Sequence, residues 1–276
     1  MRPLSGRYSS ERRIANKMAY QYKKRIVVKV GTSVMANRDN RIMLSALTKL
    51  VDQVSHLYEE DVMTVLVSSG SVNAGKEVLG DVITEDTSRR RQIFSAIGQP
   101  RLMRHYYTLF QNNGMRCAQV LGTKRDFNPG EHRTNMLNCY EGLMAEGVIP
   151  IANEDDAVSV SHSMFSDNDE LASLIAEMIQ ADMLIILTDI DGFYTGHPDD
   201  EDSRLISEIT VDQEVEQYVA KTDKGEASGR GGMESKLKVA KNTAAKGIPT
   251  YIANGKRDRV ILDIVEGQNV GTRVIA

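Results

Sequence analysis

Cysteine is scarce in this chain: Cys117 and Cys139 are the two in 276 residues, in unrelated surroundings and without CxxC spacing. That excludes a disulfide framework, a dithiol redox centre and a cysteine-based zinc site. The five histidines stand at 56, 105, 132, 162 and 197, with no HExxH and no pair four apart on a helix, so no histidine metal site is expected and no residue is assigned as a metal ligand. No stretch reaches the roughly 18 apolar residues of a membrane span, and the first residues lack the apolar segment of a secretory signal. Excess positive charge is confined to one end. Residues 1 to 25 hold eight Lys or Arg against Glu11 alone, yet the whole chain carries −4, which gives no global attraction to nucleic acid. The expectation is a cytoplasmic protein with no nucleic-acid or membrane partner. Residues 1–24 read as a basic, disordered extension rather than a transit peptide.

What is present describes a large core: 41% hydrophobic and 26% charged residues suffice for one or two domains. Short β-branched runs alternate with amphipathic stretches. Strands are expected at 25–30, 62–67, 115–121, 148–152, 183–187 and 250–253, and helices around 42–58, 89–112 and 133–146. Leu171, Leu174, Ile175, Met178 and Ile179 form one helical stripe, and a further helix follows Gly232, with Gly247 as its expected C-cap. This βα rhythm predicts an α/β protein: a mostly parallel sheet covered by helices on both faces, in two lobes of about 25–160 and 161–276. Ligands of such sheets bind beyond the carboxyl ends of the strands. Chemistry should therefore sit in Lys29 to Ser33, Ser68 to Gly75, Asn153 to Asp156 and Asp189 to Gly192, with the Gly-rich run Gly225 to Gly232 beside them.

Gly70-Ser71-Val72-Asn73-Ala74-Gly75-Lys76 matches seven positions of a Walker A loop and fails at the eighth. Glu77 stands where a hydroxyl would hold Mg²⁺, and a carboxylate there repels phosphate. The segment reads instead as a strand-to-helix turn whose glycines allow close backbone approach.

Four charged features remain. Lys29 lies inside an apolar strand, directly before Val30-Gly31-Thr32-Ser33; alone it could be an edge lysine that snorkels to water, but a glycine turn with free N–H groups is also a place for phosphate. Lys236 opens a helix after Gly231-Gly232, where a cation opposes the helix dipole unless an anion shares the end. Ser166-Asp167-Asn168-Asp169-Glu170 precedes another helix; one carboxylate suffices for capping, so the others could hold lysines or bind an amino group. Asn153-Glu154-Asp155-Asp156 could equally be a plain turn.

These pieces, with Ser68-Ser69-Gly70-Ser71, Gly98-Gln99, Asp156-Ala157-Val158, Leu187-Thr188-Asp189, Gly192, Tyr194, Met233 and Val270-Gly271-Thr272, occur in an order that resembles the amino acid kinase superfamily, most specifically the glutamate 5-kinases. The resemblance runs from about Arg25 to Ala276. It implies a three-layer α/β/α sandwich, ATP and Mg²⁺ as cofactors, ATP in the C-terminal half and L-glutamate in the N-terminal half, with proline as feedback inhibitor. It further implies a dimer or tetramer and coupling to glutamyl phosphate reductase. Carried across by position, Lys29, Lys236 and Asp169 become the catalytic charges. Ser69, Gly70, Asn153, Asp156 and Asn168 become glutamate ligands. Lys29, Gly31, Thr32, Ser33, Thr188, Asp189 and the run Arg230, Gly231, Gly232, Met233, Glu234, Ser235 and Lys236 become ATP contacts. The departures are Asp155 for Asn, Arg230 for Thr and Ser166 for Gly, and no C-terminal PUA domain is expected.

The residue inventory suits that chemistry, because a carboxylate acceptor is ionised at neutral pH and needs no general base. The obstacle is charge: an anion must approach a polyanion, so positioning and cations are the expected devices. An acetylglutamate or uridylate kinase, or a noncatalytic amino-acid sensor on the same fold, are the alternatives.

Overall fold

The computed structural model describes residues 22–159, 167–218 and 232–276. The apolar run KRIVVKV forms β1 (Lys24–Val30) at the middle of an eight-stranded sheet, where Ile26, Val27, Val28 and Val30 are fully buried. A strand buried on both faces needs a continuous apolar run rather than an alternating one, which is the pattern here. β1 pairs in parallel with β2 (Val62–Ser68) on one side and β5 (Met183–Thr188) on the other. Beyond β2 lie β4 (Val148–Glu154) and β3 (Arg116–Gly122); beyond β5 lie β9 (Thr250–Asn254), β10 (Thr272–Ile275) and β8 (Glu208–Thr210). β10 runs antiparallel to β9, and a separate hairpin joins β6 (Phe193–Tyr194) to β7 (Leu205–Ile206).

The helices are α1 (Thr32–Met35), α2 (Leu44–Glu59), α3 (Ser71–Leu79), α4 (Thr87–Asn112), α5 (Glu131–Ala145), α6 (Asn168–Met178), α7 (Met233–Ala244) and α8 (Val260–Val265). Packed on both faces of the sheet they complete the three-layer α/β/α sandwich. Because β1, β2, β4 and β5 are parallel, the residues after Val30, Ser68, Glu154 and Thr188 all emerge at one edge.

Two details of that edge follow from glycine. Gly70 turns the chain from β2 into α3 at φ +100°, a conformation that side chains disfavour. Gly75 and Gly98 let α3 and α4 cross backbone against backbone: a Cβ on Gly75 would lie 1.9 Å from the Phe94 carbonyl oxygen, and one on Gly98 1.8 Å from that of Ser71.

The expected strands and helices are all present within a few residues, and the acidic loop 199–202 is exposed. Gly247 is not the C-cap of α7; Ala245 is, and Gly247 follows two residues later at φ +83°, its N–H bonded to the Ala244 carbonyl. Most of the expected lobe boundary lies outside the described residues. The near-Walker lysine also finds its explanation. Lys76 stands in the last turn of α3 with its ammonium 5.8 Å from the Phe94 ring centre, far along the helix from the N-terminal end where a P-loop lysine would sit.

Candidate active site

At the carboxyl edge of β1 three buried charges meet. Asp169, in the first turn of α6, has no exposed surface; one carboxylate oxygen lies 2.6 Å from Lys29 Nζ and the other accepts a hydrogen bond from Lys236 Nζ at 3.0 Å. Burial pushes the carboxyl towards its neutral form, but the Lys29 and Lys236 charges and hydrogen bonds together outweigh it and hold its pKa below the ordinary 3.8. Among the described residues Asp169 stands against two ammonium groups, and buried cations of this kind are suited to stabilising charge that develops on a phosphoryl group.

The acidic run now divides by role. Asp167 caps α6, accepting from the Asp169 and Glu170 N–H groups at 2.8 and 3.1 Å, while its second oxygen accepts from the Ser235 hydroxyl at 2.8 Å and so ties the starts of α6 and α7 together. Glu170 pairs with Lys124 at 2.5 Å. Asn168 turns the other way, its amide donating to Ser69 Oγ and Asn153 Oδ1, both at 3.0 Å. Capping thus accounts for one acid of the run.

Asn168 begins a polar row that lines a cavity of about 370 Å³. Asn153 donates to Gln99 Oε1 at 2.9 Å, the Ser95 hydroxyl donates to Asp156 Oδ2 at 2.9 Å, and Arg91 Nε donates to Asp156 Oδ1 at 2.6 Å. The cavity wall includes Thr32, Ser69, Gly70, Asn153, Asp156 and Asn168, which gathers the five proposed glutamate ligands around one space. A few hundred cubic ångströms with convergent polar groups suits a small metabolite.

Of the residues proposed for the nucleotide, those described lie around the same edge but outside that wall, Thr32 excepted. Gly31 keeps the space beside the lysine open, since a Cβ there would lie 3.7 Å from Lys29 Nζ and 3.2 Å from the Leu187 carbonyl. Its own N–H is spent on that carbonyl at 3.2 Å, so the donors left to an anion at this turn are those of Thr32 and Ser33, which open α1. Thr188 ends β5 and donates to Asp189, which is exposed. Gly232, Met233, Glu234, Ser235 and Lys236 form the start of α7. Arg230 and Gly231, with Ser166 and most of the Gly-rich run, lie outside the described residues. Asp155 serves the turn, donating its N–H to the Gly122 carbonyl and accepting from the Ala157 N–H.

Arg90, Arg91 and Phe94 line the cavity and Ser95 supports it without any role in the sequence reading, while Ser71, Asn73 and Gln99, which stood there only within motifs or segments, prove to be wall or supporting residues. The available signal was the spacing Arg91, Ser95, Gln99, four apart on one face of a helix. It becomes legible once β4 supplies the partners.

Among the described residues no group of three or more His, Cys, Asp or Glu side chains comes together, and Asp169 is committed to two lysines. The donor set offers no protein cage for Mg²⁺. An ion that keeps several waters and binds mainly through phosphates does not need one.

Residues 24–254 match the family model described as the amino acid kinase family. A glutamate 5-kinase of Bacteroides thetaiotaomicron is 43% identical over 242 residues, covering 88% of this chain and 67% of that protein. One of Enterococcus faecalis is 36% identical over 261 residues, covering 92% and 96%. Among solved structures, an isopentenyl phosphate kinase of T. acidophilum superposes with a TM-score of 0.63 at 19% identity over 90% of this chain and 99% of the other. Carbamate kinase from Giardia lamblia, bound to AMP-PNP, gives 0.64 at 19% over 91% and 98%. At such identities the structures speak to the fold alone.

Proposed function

This chain belongs to the amino acid kinase family, and from that premise we propose that it is a glutamate 5-kinase, transferring the γ-phosphoryl group of ATP to the γ-carboxylate of L-glutamate. The observation that carries the reading is the junction at Asn168. One residue away along α6, Asp169 holds the two buried lysines, while Asn168 itself reaches Ser69 and Asn153 in the wall of a metabolite-sized cavity. A phosphoryl site and an acceptor site thus share one helix start.

In this reading the ammonium of glutamate meets Asp156, and its γ-carboxylate is held by Ser69 and Asn168 with Gly70 and Asn153 behind them. A carboxylate oxygen forms a bond to the γ-phosphorus as the bond to the bridging oxygen of ADP breaks; no proton moves. Lys29 and Lys236 take up the charge that spreads over the phosphoryl oxygens, and Asp169 fixes where the two ammonium groups stand. The polyphosphate is held by Lys29, Gly31, Thr32 and Ser33 from one side and by Thr188, Asp189 and the segment Arg230 to Lys236 from the other. Mg²⁺ bound to the nucleotide's phosphates would neutralise part of their charge. Residues 25–276 then form an amino acid kinase domain with a glutamate half of about 25–160 and an ATP half of about 161–276. Feedback by proline, a dimer or tetramer, delivery of the acyl phosphate to glutamyl phosphate reductase and a cytoplasmic location rest on kinship alone. No helix among the described residues is long and apolar enough to cross a membrane.

A coupled ADP-release assay with glutamate, aspartate, acetylglutamate and UMP tests the reading, with Lys29→Ala and Lys236→Ala as controls. Turnover is expected with glutamate alone and is expected to fall at least about a hundredfold in either variant, the scale for losing one preorganised charge at a transition state. Turnover with UMP but not glutamate overturns it.

A further inference from the structure

The cavity wall holds an ion pair whose cation the acceptor reading leaves unused. Arg91 lies in the cavity wall with its side chain 36% exposed, beside Asp156, which is 3% exposed. Its guanidinium is only partly committed: Nε donates to Asp156 Oδ1 at 2.6 Å and Nη2 to Glu154 Oε2 at 3.2 Å, which leaves Nη1 without a hydrogen bond among the described residues. Ser95 fixes the second oxygen of Asp156 at 2.9 Å. The carboxylate is therefore gripped from two sides while the guanidinium keeps donors free at the cavity.

An α-amino acid carries its ammonium and its carboxylate on the same carbon, so a site that takes one must offer the complementary group for the other within a bond or two. If Asp156 takes the ammonium, the neighbouring group has to be a cation or a set of donors. Arg90 and Lys76 also line the cavity, but Arg90 donates to the Thr84 carbonyl at 3.0 Å and Lys76 is directed over the Phe94 ring. Of the three, Arg91 is the cation bonded to Asp156 itself. Its planar fork suits a carboxylate better than a lysine would. In the free protein the two side chains satisfy each other; a bound amino acid inserts its own ion pair alongside, antiparallel to theirs.

We propose that Arg91 is a substrate-binding and specificity-determining residue that receives the α-carboxylate of the acceptor, forming with Asp156 a two-charge socket for the amino-acid head group. The proposal rests on the acceptor being glutamate. It places the head group at the Arg91 end and the reacting carboxylate at the Asn168 end, so that side-chain length decides whether the far carboxylate reaches the lysines. An acceptor that lacks a charged α-carboxylate loses the Arg91 contact and keeps the rest.

The test compares L-glutamate with its α-amide, isoglutamine, which keeps the ammonium and the γ-carboxylate but is neutral at the α-position. In the wild type kcat/KM should favour glutamate by on the order of 30-fold, the scale of one hydrogen-bonded charge. In Arg91→Ala the value for glutamate should fall to that for isoglutamine, mainly through KM, with isoglutamine changed by no more than about threefold. Where isoglutamine turns over too slowly to follow, its inhibition constant against glutamate is read instead. Arg91→Gln, which keeps a donor towards Asp156 without the charge, should give the same pattern, and its melting curve guards against a folding defect. Equal losses for both acceptors mean that Arg91 only positions Asp156, and no loss for either means that it touches nothing; each result overturns the proposal and leaves the kinase reading standing. Absence of glutamate turnover in the wild type overturns both.

Discussion

Asp169 is the residue on which the site turns, because it pairs with two buried ammonium groups at once. Replacing it with Asn keeps the shape and removes the charge. Losing one partner of a buried ion cluster costs about 3 to 5 kcal/mol, and the lysines lose the anchor that fixes their positions. Asp169→Asn should therefore lower stability by about 3 kcal/mol at pH 7 and kcat by at least about a hundredfold. The acid dependence follows from the direction of its pKa. The folded carboxyl is held below its ordinary 3.8, so its contribution is fully present above that value and is lost as the pH falls through the lower folded value. Chemical denaturation of both proteins between about pH 5 and pH 2.5 should show the stability gap narrowing as acid is added. A gap unchanged down to pH 2.5 would mean that the lysines do not hold the carboxylate ionised.

At the scale of elements, α3 and α4 both line the proposed acceptor cavity, and their crossing sets its width. Gly98→Ala would put a methyl group 1.8 Å from the Ser71 carbonyl oxygen, a backbone atom that cannot rotate away, so the helices must separate. Overpacking of this kind costs about 1 to 3 kcal/mol. The melting temperature should fall by about 6 °C, and KM for glutamate should rise more than KM for ATP, because Ser71, Ser95 and Gln99 move with the crossing while Lys29 and Lys236 do not. Equal changes in the two KM values would indicate a general loss of stability rather than a widened cavity.

The same elements explain what the sequence disclosed. β1, β2, β4 and β5 were legible because a strand buried on both faces must be continuously apolar, and Lys29 stood out as the charge in such a run. Asp169 and Lys236 were legible as residues at helix starts, where an acid is ordinary and a lysine is not. Arg91 was hidden within Arg89-Arg90-Arg91, a run that reads as a solvated helix face; only the placement of β4 beside α4 distinguishes the third arginine from the first two. The strands β6, β7, β8 and β10 have two to four residues each, too few for a periodicity to emerge; β6 and β7 exist through pairing with each other, and β8 with β10 about sixty residues away.

For the whole molecule, the central position of β1 has a thermodynamic consequence. β1 bonds to β2, which leads into the proposed acceptor residue Ser69, and to β5, which leads through Thr188 into Asp189 on the proposed nucleotide side. In the proposed reading two anionic ligands approach the end of one strand from opposite halves of a continuous sheet, with the Lys29 ammonium between them. With Lys29 present their repulsion is offset; with it removed, two negative groups a few ångströms apart across a poorly hydrated gap repel by several kcal/mol at an effective dielectric of about 20. Binding coupling is reciprocal, so each ligand must alter the affinity of the other by the same factor. Calorimetric titration of glutamate with and without a non-hydrolysable ATP analogue, and the reverse pair, should give one coupling factor close to unity or favourable in the wild type. In Lys29→Met both titrations should report the same unfavourable factor, at least about fivefold, which is about 1 kcal/mol. Coupling unchanged by that substitution would place the two ligands too far apart for in-line transfer at this edge, and the charge clamp would then be a structural feature of α6 rather than the meeting point of the two halves.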